Sequence, residues 1–364
     1  MIDPARLIRS HIQNMPAYEP IVPFEVLSQQ LNRPVDQIVK LDANENPYGA
    51  LPAVSQALAA MPFAHIYPDP ESRALRSAIS AHHGVPMDNI LAGAGADELI
   101  DLILRLMIEP GDKIINCPPT FGMYAFDADL NAARVIQVPR QADFSLDIEA
   151  IEQAVSAHNP KLIFLASPNN PDGSLVPRSQ IERLLELPVL VVLDEAYIEF
   201  AAPGSSLLAE APTRQNLVVL RTFSKWAGLA GLRVGFGAFP SALMPHLWKI
   251  KQPYMVSVAA STAAILSLQH ADQLTEIGQR IIAERQRLSG ELGKLGWLQP
   301  YESQANYILC RVVGRNAFDL KRALASQGIL VRYFNKPGLR DHIRISVGKP
   351  EHSELLIQVL KQME

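Results

Sequence analysis

The chain has 364 residues, 48% of them hydrophobic and 19% charged, which excludes a disordered or fibrous protein and leaves room for two packed domains. Its 33 Lys and Arg against 37 Asp and Glu give a net charge of −4 mixed along the chain, so a nucleic-acid partner is not expected. Cys117 and Cys310 alone make no metal cluster and fit a reducing cytosol better than a disulfide framework. The N-terminus carries Asp3, Arg6 and Arg9 where a signal peptide needs an apolar run. No uncharged stretch approaches the roughly 20 residues of a membrane span, so a soluble, cytoplasmic protein is expected.

Residues 1–40 hold Pro4, Pro16, Pro20, Pro23 and Pro34, which favours an extended arm interrupted by one helix over 24–31. The pattern then predicts a helix over 72–83 closed by Gly84, and a glycine-rich turn leading into a mostly buried helix over 99–108, stopped by Pro110 and Gly111. Short apolar runs follow at 113–116, 162–166, 189–193, 217–220 and 234–238, with helices over 148–158 and 179–187 between some of them. Such runs between helices predict a buried, mostly parallel sheet and an α/β fold. From about residue 256 a long helical stretch with Ile277, Ile281, Ile282, Arg285 and Leu288 leads to a different pattern. There a strand over 306–312, a helix over 317–327, strands over 329–333 and 343–347 and a last helix make a smaller α+β domain.

Chemistry concentrates at four places. Lys225, at the end of an apolar run and flanked by Thr222, Ser224 and small residues, suits an amine that is desolvated and nucleophilic toward a carbonyl. Taken alone it reads better as a strand-capping surface lysine, but Arg233 with Thr222 and Ser224 offers a cation and two hydroxyls to one anion. Asp194 ends another run, where α/β proteins place ligands, with Tyr197 just beyond; an aspartate there is also a common helix N-cap. Gly93-Ala94-Gly95-Ala96-Asp97 enters a helix whose free N–H groups suit a phosphate, and Ser167 to Gly173 reads as a Pro/Gly turn. His82 and His83 lack partners at ligand spacing, so no metal is expected.

Six segments occur in order: NENPYG from Asn44, GADE from Gly95, CPPTFGMY from Cys117, SPNNPDG from Ser167, DEAYIEF from Asp194 and TFSKWAGLAGLR from Thr222. In this the chain resembles the fold-type I pyridoxal-phosphate-dependent aminotransferases over nearly its whole length, and within them the histidinol-phosphate branch. The resemblance implies an N-terminal arm over 1–40 packing on the small domain or a partner subunit, a large cofactor-binding domain over 41–258 and a small C-terminal α+β domain over 259–364. It implies pyridoxal 5′-phosphate as cofactor, with Lys225 forming the Schiff base and then shuttling a proton. Asp194 would pair with the ring nitrogen, Asn170 and Tyr197 would bond the ring oxygen, and Phe121 would stack on the ring. Arg233, Thr222, Ser224 and the amides of Ala96 and Asp97 would hold the phosphate. Tyr67 would reach the phosphate of a neighbouring subunit, implying a homodimer, and Arg332, Arg344, Tyr18 and Asn44 would meet the substrates, a phosphorylated amino alcohol and glutamate or 2-oxoglutarate. An aromatic aminotransferase or a threonine-phosphate decarboxylase on the same scaffold is the alternative. Two departures from the family pattern stand out: Asp172 where threonine is usual, close to an anionic cofactor, and a bulky Trp226 beside the lysine, expected to reshape the pocket wall.

Overall fold

The computed structural model describes residues 2–18 and 22–363, so Met1, residues 19–21 with Pro20 of the arm, and Glu364 lie outside it. In chain order the strands are β1 Val39–Leu41, β2 Ile90–Gly93, β3 Lys113–Asn116, β4 Arg134–Gln137, β5 Leu162–Ala166, β6 Leu190–Asp194, β7 Leu217–Thr222, β8 Gly235–Ala238, β9 Leu298–Pro300, β10 Tyr307–Val312, β11 Ile329–Tyr333 and β12 His342–Ser346. Seven of them form one sheet in the order β2-β8-β7-β6-β5-β3-β4. Its neighbouring strands run parallel except at β8, which is antiparallel to both β2 and β7.

The alternation of side chains along a strand explains the two cores that cover this sheet. Ile163, Leu165, Val191, Leu193, Leu217 and Val219 face one side; Leu162, Phe164, Val192, Val218 and Leu220 face the other. Both faces are apolar, which is why β5 to β7 read as unbroken hydrophobic runs. The same parity decides the functional end of the sheet. Ala166, Asp194 and Thr222 extend the second face, whereas Glu195 and Arg221 fall on the first and pair there at 3.0 Å.

The second sheet, β1-β11-β12-β10-β9, is antiparallel apart from the β1–β11 edge, where Val39 to Leu41 run beside Ile329 to Val331. Thus β1 spans the limit of the expected arm at residue 40 and ties that arm into the small sheet. The helical stretch from residue 256 is two helices, Val258–Gln269 and Ala271–Gly293, interrupted at His270. The first packs against Arg73–His83 and Pro52–Ala59 beside the large sheet, and the second runs on to β9, β10 and the last helix, Pro350–Lys361. The break lets each follow a different core. Helices Pro52–Ala59 and Met123–Leu130 and strands β1, β2, β4 and β9 are additional to those expected; each is no more than eight residues long, too short for a periodic signal.

Candidate active site

A cavity of about 360 Å³ opens at the carboxyl ends of β5, β6 and β7, the position from which an open α/β sheet presents its ligands. Lys225, Asp194, Tyr197, Asn170, Phe121, Thr222, Ser224, Arg233, Ala96 and Asp97 all line it. These ten expected residues come from five of the six ordered segments, and the sheet's register brings them together: Ala166 stands beside Asp194, and Asp194 beside Leu220, two residues short of Thr222.

At one end lies a set of anion donors. The helix Ala96–Met107 starts after Gly95 with no side chain capping its free N–H groups, so the positive end of its dipole faces the cavity. Gly95 has φ +83°, and a Cβ on it would stand 2.8 Å from Arg233 Nη2; only glycine lets the guanidinium lie across this turn. Arg233 reaches Ser224 Oγ at 3.5 Å and is paired with Asp97 Oδ2 at 2.7 Å. The Thr222 hydroxyl donates to Ser224 Oγ at 2.9 Å and accepts from the Ser224 N–H. A phosphate fits this set: two hydroxyls, two backbone amides and a guanidinium, lining one end of one cavity.

Lys225 stands in the middle. Its Nζ makes one weak contact, 3.4 Å to the Ala43 carbonyl, and lies 5.8 Å from the Tyr197 ring centre. Desolvation, and then the Arg344 cation, bring its pKa down to about 8. At the far end Asp194 is buried, accepting from the Ala196 N–H at 3.0 Å and from the Tyr124 hydroxyl at 2.7 Å. Burial raises its pKa to about 6, against the lowering effect of those two hydrogen bonds. Tyr197 accepts from Asn44 Nδ2 at 3.2 Å.

The expected substrate residues form an outer ring. Asn44 is buried and acts on the cavity through Tyr197, while Ser346 Oγ accepts from its N–H at 2.8 Å. Arg344 donates to Asn170 Oδ1 at 2.6 Å and to the Asp42 carbonyl at 2.8 Å, and its buried Nε has no partner among the described residues. Arg332 faces it across β11 and β12, and both guanidinium groups lie within 5.6 Å of the Phe334 ring centre. Tyr18 packs edge-on against Phe126 at 5.6 Å; burial raises its phenol pKa, opposed first by the Arg332 cation. Tyr67 is 79% exposed and stacks on Tyr254 at 4.8 Å beside a separate hollow of about 220 Å³, so it does not enter its own chain's cavity.

Both departures lie elsewhere than expected. Asp172 points neither to solvent nor into the cavity: it is buried in its turn, bonded by Asn169 Nδ2 and by the Ser174 N–H, and its charge is opposed by buried Arg140. Trp226 is packed on Phe223 at 5.9 Å inside the core of the large sheet and does not line the cavity. His83 is half-buried, lying on Phe236 at 5.4 Å with its pKa pushed down to about 3 by desolvation. Sequence reasoning missed Tyr124, which lines the cavity and touches Asp194. Its only signal was its place at the end of the CPPTFGMY segment.

The family model described as aminotransferase class I and II matches residues 36–360. The histidinol-phosphate aminotransferase 1, chloroplastic, of Arabidopsis thaliana is 52% identical over 356 residues, 98% of this chain and 85% of that protein. The histidinol-phosphate aminotransferase of Roseiflexus castenholzii is 50% identical over 365 residues, 98% of each chain. Among solved structures, histidinol-phosphate aminotransferase from Sinorhizobium meliloti in complex with pyridoxal-5′-phosphate superposes with a TM-score of 0.88 at 30% identity, covering 98% of both chains.

Proposed function

Since the chain belongs to the class I and II aminotransferases, we propose that it catalyses reversible amino transfer between L-histidinol phosphate and 2-oxoglutarate, giving imidazole-acetol phosphate and L-glutamate in histidine biosynthesis, with pyridoxal 5′-phosphate as cofactor. The observation that carries the reading is the Lys225 amine, desolvated and weakly bonded, between a phosphate cradle and a buried carboxylate.

When bound, the cofactor supplies a carbonyl that captures amines and a ring that withdraws electrons. Asp194 would hold the proton of the ring nitrogen. Asn170, whose Oδ1 is taken by Arg344, has its Nδ2 left to donate to the ring oxygen beside the Tyr197 hydroxyl. Phe121 would lie on the ring face, and Arg233, Thr222, Ser224 and the amides of Ala96 and Asp97 would hold the phosphate. Lys225, released by an incoming amine, would take a proton from substrate Cα and return one; its lowered pKa leaves a neutral fraction near pH 8 for that work. Arg332 and Arg344 would bind the anionic end of either substrate, since a guanidinium fork accepts carboxylate and phosphate alike. Tyr18 would close over the substrate, and Asn44 would act through Tyr197.

We also propose a homodimer in which Tyr67 reaches the phosphate of the neighbouring subunit. Its exposure, and that of Phe63, Ile66 and Tyr254 around it, support this. A cytoplasmic location is proposed as well; it rests on Cys117 and Cys310, both free and buried in separate cores.

The test is an absorbance titration of the cofactor-loaded protein with histidinol phosphate, phenylalanine and threonine phosphate in parallel, without a keto acid. Loss of the Schiff-base band at far lower histidinol phosphate than phenylalanine is the expected result. Equal response to phenylalanine would make it a general aromatic aminotransferase, and carbon dioxide release from threonine phosphate would make it a decarboxylase.

A further inference from the structure

Tyr124 is a polar side chain of the cavity that the proposed chemistry leaves without a task. Tyr124, on the helix Met123–Leu130, is fully buried and points its hydroxyl into the cavity floor, where it donates to Asp194 Oδ2 at 2.7 Å. Two rings fix its direction. Phe164 of β5 is stacked on it at 5.2 Å with planes 13° apart, and Phe121 meets its edge at 5.5 Å and 83°. Tyr124 therefore touches both the ring expected to stack on the cofactor and the carboxylate expected to pair with the cofactor's nitrogen.

We propose that Tyr124 is a positioning residue which holds Asp194 ionised and aimed into the cavity, and so sets how tightly pyridoxal phosphate binds as pH falls. This rests on the reading of Asp194 as the partner of the ring nitrogen. The need for such a donor is local. Asp194 is buried, and the charges of Asp97 at the helix start and of its neighbour Glu195 both disfavour its ionised form. Around the same group stand the phenols of Tyr197 and Tyr307, and the Arg140 cation lies beyond Tyr124. Against burial and two carboxylates, only the Ala196 N–H and the Tyr124 hydroxyl, among the described residues, donate to the carboxylate. Tyr124 is suited to this at any working pH, because burial and the adjacent Asp194 charge hold its own proton on well above the ordinary phenol range.

The test compares wild type with Tyr124→Phe, which keeps both ring contacts and removes only the hydroxyl. The dissociation constant of pyridoxal phosphate is measured by equilibrium dialysis of the loaded protein between pH 6 and 8.5. Loss of one charge-assisted donor raises the pKa of Asp194, about 6 in the free site, by about one unit. Binding that requires the ionised form is then about fivefold weaker in the variant at pH 6 and within about twofold of wild type at pH 8.5. A ratio near one at every pH, or the same weakening at both ends of the range, would overturn the proposal, the second outcome meaning a packing role alone. Asp194→Asn separates the two readings. Weakened binding there beside a flat Tyr124→Phe ratio overturns the role of Tyr124 only, whereas wild-type binding by Asp194→Asn overturns the reading of Asp194 and this inference with it.

Discussion

Lys225 shows how a single residue draws its chemistry from what surrounds it. An ammonium taken from water into this cavity loses hydration and gains a carbonyl at 3.4 Å and the Tyr197 ring face at 5.8 Å, so its proton is held less firmly, with a pKa near 8 in place of 10.5. The consequence for stability has a definite sign. Below about pH 8 the lysine is charged in both folded and unfolded chains and the full cost of burying the cation is present; between about 8 and 10.5 only the unfolded chain holds the proton, and the cost disappears as pH rises. Lys225→Met in the cofactor-free protein should raise stability at pH 7 by about 2 kcal/mol, less than the whole shift because the amine faces an open cavity, and the gain should vanish toward pH 10.5. Urea unfolding at several pH values measures this, and turnover in the same variant should fall by about 10⁴-fold. Asp172 is the opposite case. Its residue type suggested a charge beside the cofactor, but the turn's own donors and Arg140 draw it away from the cavity.

At the scale of elements, the site is the end of three adjacent parallel strands and the start of one helix. Strand parity places Asp194 and Thr222 over the cavity and sends Glu195 and Arg221 to the opposite face, where Arg221 binds Glu195, Glu199 and the Ser206 hydroxyl. That buried cluster ties the ends of β6 and β7 together from below. The turn before the helix Ala96–Met107 depends on its glycine: Gly95 at φ +83° carries the chain past Arg233 with no room for a Cβ. Gly95→Ala should weaken pyridoxal phosphate binding by about tenfold or more while leaving the far-ultraviolet circular dichroism unchanged, since the helix itself is not altered. Unchanged affinity would show that Arg233 and this turn do not hold the phosphate.

Across the whole molecule, the two sheets meet around the cavity through specific bonds. Tyr307 donates to the Asn169 carbonyl at 2.6 Å, Asn306 Nδ2 to the Asn44 carbonyl at 2.9 Å, and the Gln304 N–H to the Gly173 carbonyl at 2.8 Å. Arg344 on β12 bonds Asn170 beside the large sheet, so the arginine proposed to bind the anion and the asparagine proposed to face the cofactor are joined to each other. Beyond the single chain, Phe63, Ile66 and Tyr67 are each more than half exposed and border one hollow. If this patch is the homodimer contact, Ile66→Asp should shift the sedimentation mass from dimer toward monomer and lower cofactor affinity together, because Tyr67 would leave the neighbouring site. A variant that stays dimeric would place the contact elsewhere.

The sequence by itself determined the α/β class, the run of strands from β5 to β8, the helix over 148–158 at its observed ends, and ten residues of the cavity. It could do so because strand runs, caps and glycine turns are local, and because the ordered motifs carry residue types that chemistry demands. It did not contain the antiparallel course of β8, the break at His270 or the short strands β1, β2, β4 and β9, which gain their stability from neighbours far along the chain. Side-chain direction was also beyond it. Whether Trp226 faced a pocket or a core, whether Asp172 turned in or out, and that Tyr124 would meet Asp194 across 70 positions were decided by packing, which exists only once the elements are assembled.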